Sequence, residues 1–598
     1  MKTYLTPIWK PIRVSTESSH GMMEGRDSQF NSELNQSFPV VSLFPRPFLI
    51  VSAAAFAVVC PFFLLGVLAG HDFAFHLNSW MEVLTQWRQG IIYPRWAALA
   101  QYGYGEPRFI FYPPGSWVLG AALGSFLPWR LVPGTFVWLA LALSGCSMFL
   151  LARTWLKPRD AIFAAALYAI NPYYWVIVYW RSDFAELLAG ALLPLLLLFC
   201  LQAHKKSSKP IIFLSLIVAA AWLTNAPLGV IVNYSLAVLI LVVAVTRRSL
   251  RSLAVGFMAS LLGAALAAFY LLPAAYEQAW VNIGQALGKG LRPQDNFLFT
   301  NVGDAGHDAF NRILSLLTVA QIATMLVALV FARHWQSRGR KHISSALVAW
   351  AAVATLLMTS ASSLLWAHLP KLQFLQFPWR WLLCLNVAFA LLLTVACKSN
   401  AVRVVICVAM LGILVFGAWH IQRPWKDTSS DIARLADRQR SGEGYKGRPE
   451  YVPIGAVLNV QESTGLVVLQ SGGQAWPNVQ KWEAESKMIT ARVSQPAKLA
   501  FRLFTYPAWK VEVNGRLVKA ESGASGQVVV PIEAGQSVVH LSFSPTWDRT
   551  LGQIVSAVAF VAISFIFLFK KRSMVAVLQK LTYMYRLAVR GKPLASRE

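Results

Sequence analysis

GHDFAFHLNSWMEVLTQWRQGIIYPRWAALAQYGYGEPRFIFYPPG, residues 70–115, is the first long polar and aromatic interruption in an otherwise apolar chain. It follows directly on the apolar run 47–69, so it begins where the chain would leave a bilayer. His71, Asp72 and His76 stand at that exit, and ionisable groups at a membrane boundary are costly to place and usually functional. Asp72 and His76 are four residues apart and share a face if a helix starts here. An Asp in this position can act as a general base on an acceptor. With the histidines it can instead hold a divalent cation, Mg or Mn, against a phosphate leaving group. Equally, Asp72 can cap an amphipathic helix while both histidines lie in the interface.

Working outward, the 598 residues are 56% hydrophobic and 14% charged, with a mean hydropathy of +0.49. A soluble enzyme carries about 25% charged residues. Runs of roughly 20 apolar residues, the length that crosses the hydrocarbon core, recur along most of the chain. The net charge of +27 does not point to nucleic acid. Its basic clusters, RTWLKPR at 153–159, HKKSSK at 204–209, RRSLR at 247–251, RHWQSRGRKH at 333–342 and KKR at 570–572, fall between apolar runs in the positive-inside pattern. The six cysteines lie in or beside apolar runs without CxxC spacing, which suggests neither a zinc site nor a disulfide framework. The run 47–69 lacks a small-residue cleavage site after it and reads as a retained first helix.

These clusters set a topology of about twelve transmembrane helices with both termini cytoplasmic. Residues 1–46 form a cytoplasmic tail, and 47–419 a membrane domain with outer loops at about 70–130, 179–186, 273–312 and 360–380. The piece 114–128 is too short to span and reads as interfacial or re-entrant, while Thr224-Asn225-Ala226-Pro227 divides the run 211–246 into two helices. Residues 420–549 differ in kind, with sixteen Lys/Arg nearly balanced by twelve Asp/Glu. Alternating strings such as KVEV before Asn514-Gly515, then QVVVPI and SVVHLSF, predict an extracytoplasmic β-sandwich-like domain with a hairpin at Asn514-Gly515. A final span at 550–570 leads to a basic cytoplasmic tail, 571–598.

The later outer loops add candidates. Arg181, Asp183 and Glu186 lie in YWRSDFAE, where the i, i+3 carboxylates can complete a cation site with His71 and Asp72 or orient an acceptor; a solvated helix start explains them as well. Arg380 in FPWR offers a fork for a phosphate, or snorkels between Trp379 and Trp381. Arg108, in the first loop, is a further candidate substrate contact. No P-loop, GxSxG, HExxH or dinucleotide fingerprint occurs in a credible context.

The order of parts resembles the GT-C membrane glycosyltransferases, which carry a catalytic acid in the first outer loop, where Asp72 stands. GHDFAFH, GIIYPRW, YGYGEPRFIFYPPG, RSDFAE, QFPWRW, TYPAWKVEVNG and VPIEAGQSVVHLSFSP resemble bacterial membrane proteins called 6-pyruvoyl-tetrahydropterin synthase-related, together with the YfhO-like group. The resemblance implies a polyprenyl-phosphate-linked sugar donor entering from the bilayer of the bacterial inner membrane. It implies a glycan, lipid or protein acceptor on the outer face. Asp72 with His76 would be catalytic, Asp183 and Glu186 acceptor or cation partners, and Arg380 a donor-phosphate contact. A lipid or glycan transporter or flippase and a non-catalytic envelope-polysaccharide assembly protein are the alternatives.

Overall fold

The computed structural model describes residues 45–67, 70–332, 341–421, 429–457 and 465–590. The expectations for tail residues 1–44, for 333–340 of the RHWQSRGRKH cluster and for 591–598 lie outside them.

Twelve spans are expected; among the described residues eight helices are long and apolar enough to cross a bilayer, or ten if two bent pairs count as one span each. The two remaining expected spans correspond to Phe184–Cys200 and Lys209–Thr224, which are apolar but shorter. Lys209–Thr224, at 16 residues, rises about 24 Å, against about 30 Å of hydrocarbon. Its end is set where the sequence predicts: Asn225 leaves the helical conformation and its side chain accepts from Leu228 N, capping Ala226–Arg247. The bent pairs turn by 76° between Leu250–Leu266 and Ala268–Trp280, and by 88° between His342–Leu357 and Ser360–His368. Helix Ala305–Phe331 starts eight residues before the expected 313, because Asp304 caps it through His307 N.

Basic loops gather at one end of this helical assembly. Arg251 donates to the carbonyls of Lys205 and Ser207, and Arg403 pairs with Asp160 at 2.7 Å. Following Pro158–Arg181 and Pro378–Ala396 away from there leads to Arg181 and Arg380, and to the loops after residues 70, 181 and 360.

The first of these loops opens with helix Phe73–Arg88. The 13-residue helix Pro114–Phe126 packs closely on it, since a Cβ on Gly120 would fall 2.1 Å from the Trp80 ring.

Among the described residues of 420–549, strands occupy only the later part. They are β1 (Val467–Ser471), β2 (Ala475–Trp482), β3 (Ser486–Val493), β4 (Ala497–Phe504), β5 (Trp509–Val513), β6 (Arg516–Val518), β7 (Glu521–Ser522), β8 (Gln527–Ile532) and β9 (Gly535–Phe543). They form two antiparallel sheets, β1-β4-β8-β7 and β2-β3-β9-β5-β6, with one apolar cluster including Leu499, Phe501 and Val530 from the first and Ile489, Val539 and Leu541 from the second. Asn514 and Gly515, at φ 51° and 76°, make the predicted β5–β6 hairpin turn. Trp96 from the first loop is fully buried in the same cluster, against Tyr506, Trp509 and Phe543. Phe504 N donates to Tyr104 O at 2.9 Å. The two-sheet unit is thus bonded to the first loop. The final helix runs on past the expected 570 to Arg590.

Candidate functional site

Two loops are laced together through their main chains. Gly70 N donates to Ser182 Oγ, His71 N to Trp180 O and Asp72 N to Arg181 O, the last at 2.8 Å. The approach is close enough that a Cβ on Gly70 would fall 2.6 Å from Trp180 O. On the second loop the helix ends in a π-helical turn, Ile177–Arg181, followed by Ser182 at φ 51° and Asp183 as the cap of Phe184–Ala189. Such irregular turns recur at functional sites. Here the reversal turns Arg181 and Asp183 toward one another.

The expected residues Asp72, His76, Arg181, Asp183, Glu186 and Arg380 come together. Arg181 donates to Glu186 Oε2 at 2.5 Å and Asp183 Oδ2 at 2.8 Å, and lies 4.0 Å from Asp72 Oδ2. Arg380, on the turn Pro378–Trp381, donates to Glu186 Oε2 at 2.9 Å, to Asp183 Oδ2 at 3.4 Å and to Leu375 O at 2.6 Å. Glu186 Oε1 accepts from Tyr173 Oη at 2.5 Å, and Asp183 Oδ1 accepts from Glu186 N at 3.0 Å. His76 is buried, with Nδ1 3.2 Å from Ser116 Oγ and Nε2 4.0 Å from Asp183.

Burial drives the electrostatics of these groups. It pushes the His76 imidazole down to about 4, against the pull of Asp183 and Asp72, so the ring is neutral at physiological pH. Burial alone would raise the Asp72 carboxyl, but Arg448 and then Arg181 outweigh it and the net direction is downward. Asp183 is likewise raised by burial and brought below the ordinary range by Arg181 and Arg380.

Three expectations meet a different arrangement. Arg108 lies instead in a sealed network: its Nε and Nη2 engage Glu106 Oε1 at 2.8 and 2.7 Å, and Nη1 donates to Ser79 Oγ and Tyr445 Oη, both at 3.0 Å. Tyr445 Oη also donates to Glu82, whose carboxyl burial pushes up to about 7 against Arg108 and Tyr445. His71 turns away and packs edge-on against Phe310. The set His71, Asp72, Asp183 and Glu186 does not fit Mg or Mn, because each of its carboxylates faces a guanidinium. Among the described residues no group of three or more His, Cys, Asp and Glu gathers as a metal site.

Sequence reasoning missed Arg448. Its Nη2 donates to Asp72 Oδ1 at 2.7 Å from a segment 376 residues away, assigned by composition to the β-rich domain. The signal was there in GYKGRPEY, 443–451 with its preceding acid, as glycines and a proline around one Arg. Gly444 and Gly447 are where the chain presses on the first loop, and Tyr445 pairs with Leu99, Ala100 and Tyr102 backbone.

Residues 109–424 match the family described as 6-pyruvoyl-tetrahydropterin synthase related domain, membrane protein, over more than half of the chain. The chain belongs to this family. It is a membrane protein with several apolar helices, as the family is. No curated protein matches it. Among solved structures it is similar to the oligosaccharyltransferase of Archaeoglobus fulgidus, crystallised with Zn and sulfate, at 15% identity and a TM-score of 0.34. That match covers 67% of this chain and 54% of the neighbour, so the chain spans about half the neighbour's length.

Proposed function

We propose that the protein is a GT-C-type glycosyltransferase that moves a sugar from a polyprenyl-phosphate-linked donor to an acceptor on the outer face of the bacterial inner membrane. In this reading both termini are cytoplasmic and the two-sheet unit is extracytoplasmic, because positive loops stay inside. The observation that carries the reading is the contrast among the gathered acids. The Asp72 side chain is 29% exposed and pairs with the part-exposed Arg448, whereas those of Asp183 and Glu186 are 7% and 1% exposed and each is held by both Arg181 and Arg380.

Asp72 is therefore the acid an acceptor hydroxyl or amine can reach. It would orient that group and take its proton as the acceptor's bond to the sugar forms and the bond from the sugar to the phosphate oxygen breaks, the polyprenyl phosphate leaving with the electron pair. Asp183 and Glu186 would be positioning residues that hold Arg181 and Arg380, with Arg181 in turn beside Asp72. His76, neutral and buried, lies between Ser116 and Asp183.

The test is transfer of radiolabelled sugar from the lipid-linked pool in membranes, wild type against Asp72→Asn at matched expression. Transfer should fall by roughly 100-fold or more, the scale of losing a general base, while the protein remains folded. Equal transfer in both would remove Asp72 from the chemistry.

A further inference from the structure

We propose that Arg448 is an anion contact that Asp72 occupies in the resting protein, and that a phosphate or diphosphate group takes the guanidinium from Asp72 and so releases the carboxylate. The proposal rests on the reading above for the class of ligand. It does not depend on sugar transfer for its test.

The backbone at Arg448 is held as a built support. Its N donates to the buried Glu106 Oε2 at 3.0 Å, and its carbonyl accepts from Gln101 Nε2 at 3.1 Å. Gly447 admits no side chain, since a Cβ would lie 2.2 Å from Glu106 Oε2 and 2.3 Å from Gln101 Nε2. The guanidinium lies over the Phe75 ring, 4.8 Å from its centroid.

What is held so firmly at its root is lightly held at its tip. The Arg448 side chain is 36% exposed and pairs with Asp72, whereas Arg181 and Arg380 are 4% and 6% exposed and each engage both Asp183 and Glu186. An ion pair about one-third exposed is more readily exchanged than a sealed one. A guanidinium fork matches two oxygens of a phosphate better than one oxygen of a carboxylate. Arg181, 4.0 Å from the other Asp72 oxygen, keeps the carboxylate in place after the exchange.

The exchange would also couple the two substrates. With Arg448 drawn away, the burial that raises the Asp72 carboxyl loses its largest opposing charge, and Arg181 and Arg380 remain. Asp72 then becomes a stronger proton acceptor when the anion has arrived.

The experiment is calorimetric titration of inorganic pyrophosphate into the purified full-length protein in nanodiscs, with farnesyl diphosphate as a second probe. Arg448→Gln should weaken pyrophosphate about tenfold and Asp72→Asn should strengthen it about tenfold, the scale of one charge-assisted contact. A gain of affinity cannot come from misfolding. In the double variant D72N/R448Q the gain should vanish; a gain that persists there is general electrostatics and overturns the proposal. Unchanged or weaker binding in Asp72→Asn, or no saturable binding by wild type, also overturns it. Tighter binding of farnesyl diphosphate than of pyrophosphate marks a lipid-linked ligand, and equal binding a free one; either keeps the exchange. Membranes that transfer no sugar while the exchange holds would remove the glycosyltransferase reading alone.

Discussion

Arg108 and Arg448 lie over the same ring, their guanidinium carbons 4.7 and 4.8 Å from the centroid of Phe75. Both face an acid of the first loop, Glu106 for one and Asp72 for the other. Arg108 is 1% exposed, with all three of its nitrogens engaged. Arg448 is 36% exposed and holds its acid through one nitrogen. The residue types are the same, but a saturated, sealed pair fixes the fold, whereas an open pair has donors to offer. Residue type finds candidates; saturation sorts them.

The largest effect should come from Arg108→Met, which leaves Glu106 buried without its cation. Breaking a buried pair from one side costs about 3–5 kcal/mol, so yield and thermal midpoint in detergent should drop sharply. A well-folded Arg108→Met protein that had lost pyrophosphate binding would instead make Arg108 a ligand contact and break the comparison.

Next is pH. The Glu82 carboxyl in the sealed network is raised from 4.5 to about 7, so the folded chain keeps a proton that the unfolded chain releases. This contribution is fully present below 4.5 and is lost as pH rises through about 7. It amounts to about 3 kcal/mol at most. The thermal midpoint of wild type should fall across that window, and Glu82→Gln should flatten the fall. An unaltered profile in the variant would show that Glu82 is not the titrating group.

The smallest effect sharpens the contrast. Gly447→Ala pushes a methyl toward Glu106 and Gln101, at about 1–3 kcal/mol for overpacking. It should loosen Arg448 and weaken pyrophosphate binding with modest loss of thermal midpoint. Binding that stays at the wild-type value would mean the root of Arg448 need not be rigid.

The periodic parts of this chain were legible in sequence. Asn225 before Pro227 divides one apolar run, and Asn514-Gly515 turns a hairpin, because each acts through local backbone chemistry. The meeting of Asp72 with Asp183 and Arg380 was approachable, since each stands at the end of an apolar run and spans of similar length return such ends to one level. Whether an arginine is sealed, as Arg108 is, depends on what the rest of the chain lays over it. Arg448 was hidden by composition: its segment shares the balanced charge of the strands that follow, yet packs on a loop that precedes it by more than three hundred residues. Phe184–Cys200 and Lys209–Thr224 are apolar where spans were expected, and shorter than the membrane-length helices.

The lacing of residues 70–72 to 180–182 runs mainly through peptide groups, with Ser182 Oγ and the Arg181–Asp72 ion pair as its side-chain links. Main-chain donors and acceptors are present whatever side chain is attached, so the bond from Asp72 N to Arg181 O does not depend on which side chain stands at 72. Gly70, for which a Cβ leaves no room, is the position that must stay as it is. Such a seam separates the problem of holding two loops in register from the problem of what they act upon.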